Sequence, residues 1–424
     1  MRDGHLENRN AAMAQANLRR NFVGALWHGA FLAVGTALTQ PTTVIAAFVA
    51  ELTGSTIWVG GLVTVLTVAG ALPQIFVARW IEPRRYKMPI LLLAIYLRVA
   101  SWALLAWLIF VLGPDRPQLL AWALVGVLAV FYACGGLGGV PYTDIIGKII
   151  PPGRRGAFFG GRQALAGPLA VGAALLARRV LATVVYPTNY ALLFGVAAVG
   201  LFVASFGLWI IREPPHVEAK RQAIAWRRYA GMLKGAVGDL KQLVAVQVLT
   251  GFSLMAFPFY IVYARHDLGA PAEALGWFIL MQVLGGVLAN LVWARLVDRY
   301  GSKRMVMVCA AISTLTPLLA IGLSRFGWQG MLPVLFLVGA IIAGRSVGFN
   351  SALLELAPAA QRPTYSALDA MLILPVAFLS LVGGILLQHW SYAALFGMVS
   401  CFVGAGALLT QWLPSVGREG TSGT

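Results

Sequence analysis

The chain has 424 residues, 59% of them hydrophobic and only 11% charged, with a mean hydropathy of +0.79. Soluble domains carry roughly 25% charged residues, so this composition excludes a soluble globular protein and points to a polytopic membrane protein. The formal net charge of +17 is no signal of nucleic-acid binding, because the basic residues cluster in short connectors between apolar runs.

The N-terminal tail holds Arg2, Arg9, Arg19 and Arg20. The apolar run after it, residues 22–50, is too long for a signal-peptide core, and no small-x-small cleavage site followed by a soluble domain is seen, so it is expected to be the first span. A helix crosses a bilayer with about 20 apolar residues. On that measure eleven further spans follow, at 56–79, 88–112, 119–146, 157–181, 189–211, 242–264, 276–297, 305–323, 331–357, 364–388 and 393–413. Cys134, Cys309 and Cys401 all fall in apolar runs and imply no disulfide framework. The expected division is a tail (1–21), a six-helix bundle (22–211), a basic linker (212–241), a second six-helix bundle (242–413) and a second tail (414–424). The linker contains "EPPHVEAKRQ", and its "AIAWRRYAGMLKGAVGDL" could lie on the membrane face as an amphipathic helix.

Lys and Arg set the expected orientation. With the N-terminus inside, the inner segments hold 24 of these residues, the outer segments 5, and the spans 3. Both termini are therefore expected in the cytoplasm, and the membrane is expected to be a cytoplasmic (inner) membrane.

The two halves repeat. Pro41 matches Pro258 at an offset of 217, and "ARWIEPRRYKM" from Ala78 matches "ARLVDRYGSKRM" from Ala294 at 216. Further on the offset becomes 207, pairing Pro151 with Pro358, Arg155 with Arg362, Phe158 with Tyr365 and Pro168 with Pro375. A deletion of about nine residues, expected around the outer loop before span 10, accounts for the shift. Duplicated membrane halves are typical of secondary transporters, with substrate bound between them near the midplane.

On these residues the chain resembles the major facilitator superfamily. That family's loop between spans 2 and 3 reads roughly Gly-x-Leu-Ala-Asp-Arg-x-Gly-Arg-Lys and is often echoed between spans 8 and 9. The second copy fits with Leu296, Asp298, Arg299, Gly301, Lys303 and Arg304; Ala294 replaces the first glycine and Ser302 a basic residue. In the first copy Glu82 stands for the aspartate, Arg85 takes the glycine position and Lys87 keeps a charge. "PPGRRGAFFG" is similar to the family's connector between spans 4 and 5. The resemblance implies an all-α polytopic fold of twelve transmembrane helices in two pseudo-symmetric six-helix bundles. It further implies that spans 1, 4, 7 and 10 line a central cavity, and that Glu82 and Asp298 help gate it. The family's span-4 arginine motif is missing from "LLAWALVGVLAVFYACGGLGGVP", so its usual proton-antiport assignment does not carry over.

An ionisable residue within a span is costly, and such residues are usually paired or line a cavity. Arg345 lies 13 residues before Pro358, about 20 Å from that edge at 1.5 Å per residue. Asp369 lies about 9 Å deep, leaving a vertical gap of about 11 Å with room for water or substrate. Glu355 is about 15 Å from Arg345 along the axis and is expected to pair with loop cations such as Arg362. Arg162 is equivalent to Asp369 in the repeat, and Asp144 is its plausible partner. Arg98 is expected to be a structural charge facing its own bundle. His28, Gln40, Gln247, Gln282 and Asn350 are candidate substrate contacts alongside Arg345 and Asp369; Asn290 is a further candidate cavity polar. Asp369, Asp144, Glu355 and Arg162 are the candidates for coupling.

No metal cluster, phosphate-cradling loop or nucleophile–base spacing is seen, so neither an enzyme nor a cofactor is expected. The expected function is secondary active transport of a small organic solute by alternating access, by a monomer, with proton coupling open. The alternatives are export of hydrophobic drugs or lipids, and a non-transporting sensor or assembly factor on the same fold.

Overall fold

The computed structural model describes residues 15–81, 84–113, 115–215, 226–357 and 362–413. Among these residues all regular structure is helical. Among the described residues, ten runs are long and apolar enough to cross a membrane. One of them, Ala274–Leu356, is 83 residues long. It breaks at Gly301 and again at the 3-10 segment Ser324–Gly330. Taken as three helices, it makes the set consistent with the twelve expected spans.

The breaks have local causes. Span 1 is a helix Leu18–Leu38, a π-helical turn Pro41–Ile45 and a helix Ala46–Thr53. Pro41 has no N–H to offer the preceding turn, and the Ile45 amide reaches back to the Gln40 carbonyl at 3.1 Å. Span 7 is interrupted at Phe252, between Trp226–Gly251 and Ser253–His266. Span 11 changes to a 3-10 turn at Leu374–Phe378, around Pro375.

Gly301 has φ 81° and ψ 168°, a region essentially reserved for glycine. Spans 8 and 9 therefore join through a single broken residue. The equivalent position of the first half is Arg85, and there residues 84–87 run as irregular backbone before the helix Met88–Leu112 begins.

The shortening of the second half does not lie where the sequence suggested. The connector Ser324–Gly330 is no shorter than its counterpart, residues 113–116. The helices on both sides of it are shorter: Pro117–Ile149 has 33 residues against 26 in Met331–Leu356, and Met88–Leu112 corresponds to the shorter stretch from Arg304 to Leu323.

The chain divides into two compact units. The first comprises Met1–Trp58, Leu62–Arg221 and Pro271–Leu280; the second comprises Val59–Gly61, Gln222–Ala270 and Met281–Thr424. In the first, spans 1 and 6 meet through Gly24 and Gly207. A Cβ at Gly24 would stand 2.6 Å from the Gly207 carbonyl oxygen, so only glycine allows this approach. Asn21 clamps the same pair, donating to the Arg212 carbonyl at 3.3 Å and accepting from its amide at 2.8 Å. Phe48, Trp102, Phe131, Tyr190 and Phe194 pack ring against ring in its core. In the second unit, Leu240, Leu243, Val246, Val306, Leu353 and Leu413 form a buried cluster.

Candidate functional site

Arg345 sits half-buried on span 10. Its Nη1 donates to Thr250 Oγ1 at 2.8 Å and its Nη2 to the Gln247 carbonyl at 3.4 Å. Both acceptors belong to the last turns of Trp226–Gly251, where the helix dipole places partial negative charge and a cation is favoured. The guanidinium also lies 5.1 Å from the Phe349 ring centre. Thus Arg345 is held by the broken end of span 7.

Asp369 is not paired with it. Among the described residues no ion pair joins the two; the Gln247 amide donates to Asp369 Oδ1 at 2.8 Å. Gln247 is buried and bonds Asp369 by its side chain and Arg345 by its backbone. The gap expected to leave room for water or substrate is therefore occupied by Gln247. Beside Arg345, among Thr250, Cys309, Ser313 and Phe349, the free volume is about 10 Å³. That is room for no more than about one water molecule.

The side chain of Arg362, the expected partner of Glu355, lies outside the described residues. Glu355 accepts from the Ser302 hydroxyl at 2.5 Å and from the Ser302 amide at 3.3 Å, so it ties span 10 to the turn at Gly301. Lys303 donates from Nζ to the Gln411 carbonyl at 2.7 Å. Arg299 and Arg304 flank the Tyr300 ring, and Asp298 is exposed. In the first copy, Arg85 is exposed beside Tyr86, while Glu82 lies outside the described residues.

Asp144 does not serve Arg162. Its Oδ2 meets Lys87 Nζ at 3.0 Å and Lys148 Nζ at 2.5 Å. Glu213 completes the group: its carboxylate accepts the backbone amides of Lys87 (2.9 Å) and Met88 (2.8 Å) and lies 3.8 Å from Lys148 Nζ. A carboxylate at a helix start satisfies amides that lack intrahelical partners. Two acids and two lysines thus neutralise one another at the start of span 3. Glu213 lies within the stretch expected to be the linker, residues 212–241. The Asp144–Lys148 spacing of four, one helical turn, was the available signal.

A cavity lined by charged residues lies in the first unit. It has a volume of about 190 Å³ and is lined by His28, Arg98, Tyr142 and Arg162 with apolar and glycine neighbours. His28 is buried, with Nδ1–H donating to the Ala204 carbonyl at 3.1 Å. That bond assigns the tautomer and leaves Nε2 as an acceptor. The Arg98 guanidinium lies 4.4 Å from the Phe131 ring centre, and its Nε is buried without a hydrogen-bond partner. Arg162 lies 5.9 Å from the Tyr142 ring centre. Its stem occupies the place a side chain at position 29 would take, since a Cβ on Gly29 would stand 2.5 Å from Arg162 Nε. Among the described residues no carboxylate comes within ion-pair distance of either arginine.

The other candidates are apart from both sets. Asn350 donates back to the Ser346 carbonyl of its own helix at 2.7 Å. Gln40 marks the break in span 1 through its backbone carbonyl. Gln282 is buried on span 8, its carbonyl against Gly339 of span 10.

A family model described as Major Facilitator Superfamily matches residues 243–423. No curated protein sequence matches the chain. Several solved structures share its fold. A bacterial homologue of the iron transporter ferroportin, in an inward-facing state, superposes with a TM-score of 0.65 at 13% identity, covering 93% of this chain and 99% of that one. A D-xylose-proton symporter gives 0.65 at 17% identity, covering 94% and 98%. A POT family transporter bound to a thioalcohol-conjugated peptide gives 0.67 at 14% identity, covering 93% and 95%. Identities this low establish a common fold and leave the solute to be argued from the site. Residues 243–423 thus match the model of the Major Facilitator Superfamily, and the chain as a whole shares the fold of the transporters just described.

Proposed function

We propose that this integral membrane protein is a secondary transporter that moves a small organic solute by alternating access, coupled to protons through Asp369. The observation that carries the reading is the Gln247–Asp369 contact. A carboxylate inside a span is costly and is usually neutralised by a cation or a proton. Among the described residues, the side chain that hydrogen-bonds Asp369 is an uncharged amide. An amide donates to a carboxylate and, turned over, accepts from the protonated acid, so a proton can be taken up and released without dismantling the contact. The proteins of similar fold include a D-xylose-proton symporter and peptide transporters. The excess of Lys and Arg in alternate connectors favours an orientation with both termini on the cytoplasmic side of the membrane.

Reconstituted protein in liposomes containing a pH-sensitive dye tests the coupling. Organic acids, sugars and peptides are supplied one at a time, and solute-dependent proton movement is followed. Asp369→Asn is expected to reduce that movement to the level of empty liposomes while solute exchange at equal pH persists. Proton movement unchanged in Asp369→Asn removes the residue from this role.

A further inference from the structure

We propose that the cavity of the first unit is a binding site for a small organic anion, with a carboxylate held between Arg98 and Arg162. The inference names the solute class for the transporter reading and rests on that reading only for its physiological meaning.

Four spans place the site in one layer. Arg98 is 10 residues from Met88, His28 10 from Leu18, Arg162 7 from Arg155 and Tyr142 7 from Ile149, all about 10–15 Å from the helix ends on one side. Guanidinium groups keep their charge at physiological pH. Two of them line one cavity in a membrane-embedded bundle, and the chain supplies no described counter-ion there. Asp144, two residues from Tyr142 of the cavity wall, is already engaged by Lys87 and Lys148. His28 adds no negative charge, and its Nδ1 is committed to Ala204. Buried charge without a partner is strongly disfavoured, so the site is electrostatically completed by an anion from outside the chain. The planar fork of arginine matches a carboxylate with two parallel hydrogen bonds.

The walls say more. Leu32, Leu91, Ala94 and Ile95 line the same cavity as the charges. The volume of about 190 Å³ is below the 300–1,000 Å³ usual for drug-sized ligands. A compact organic acid, with an acidic head and an apolar body, fits charge, size and walls together; a bare inorganic anion would leave the apolar side unused.

Purified full-length protein in detergent is titrated calorimetrically with benzoate, succinate, inorganic phosphate, glucose and tetraphenylphosphonium. Binding of benzoate or succinate is expected, with none of glucose or the cation. Arg98→Met and Arg162→Met should each weaken it by at least about tenfold, the loss of one hydrogen bond to a charged group. Gly139→Leu provides a variant that leaves both arginines in place. Gly139 lines the cavity, and a Cβ there meets nothing within 4 Å, so the larger side chain is accommodated and should exclude the ligand. Arg116→Met, at an exposed connector residue, is the control and should bind as the parent does. Binding of phosphate alone, or carboxylate binding that survives in Gly139→Leu and in both arginine variants, overturns the proposal. The two readings fail separately. Neutral-solute flux in liposomes without anion binding defeats the anion site and leaves the transporter. Anion binding without flux of any solute does the reverse.

Discussion

The two halves repeat one architecture and treat charge in opposite ways. In the second unit, Arg345 and Asp369 are joined through Gln247 and Thr250, and about 10 Å³ stays empty beside the arginine. In the first, Arg98 and Arg162 share a cavity of about 190 Å³ with no described acid. The repeat indicates where the space comes from. At the offset of 207, Gly135, Gly138 and Gly139 of span 4 correspond to Ile342, Arg345 and Ser346 of span 10. Side chains fill the second half where glycines leave the first open. Duplication has kept the helices in place and let the polar contents diverge.

The span-connecting ends show the same divergence, and substitutions there sharpen the contrast. The largest effect is expected for Glu213→Gln. It takes a buried charge from a group that holds Lys148 and two amides at the start of span 3. Hydrogen bonds to charged groups are worth about 1.5–3 kcal/mol each, so a loss of about 3 kcal/mol is expected, read as a lower unfolding temperature in detergent. Glu355→Gln, at the corresponding end of the second half, should cost about 1 kcal/mol, because its carboxylate is exposed and the amide can still accept from Ser302. Equal losses in the two variants would erase the distinction between a buried charge network and an exposed tie.

Gly301→Val comes between them. A β-branched residue forced to φ 81° and ψ 168° carries a strain of about 1–3 kcal/mol. The smallest effect is expected for Asn350→Ala, within about 0.5 kcal/mol and without change in solute-dependent proton movement, because its amide donates back to the Ser346 carbonyl of its own helix. A transport defect in that variant would return Asn350 to the site.

Much of the fold was legible along the chain. Span lengths, the basic connectors and the paired "ARWIEPRRYKM" and "ARLVDRYGSKRM" stretches depend on residues near one another in sequence. The site was less legible. Arg345 stood out because a charge in an apolar run is visible, and the structure gives it to the end of span 7. Arg98 reads from sequence as a structural charge facing its own bundle and Tyr142 carries no signal of its own; the structure puts both with Arg162 and His28 around the cavity.

The sequence by itself determined that this is a membrane protein of repeated halves, since hydropathy, helix length and the charge of connectors are local quantities. The tertiary structure alone decided the partners: Asp144 with Lys87, Gln247 with Asp369, Glu355 with Ser302, and two arginines beside an open volume. The physical reason is that lipid and bundle core are both apolar, so a spanning helix carries only a weak pattern to mark its inward face. Contacts between residues 53 to 122 positions apart follow from how each helix is rotated in its bundle, and only the packed bundle fixes that rotation.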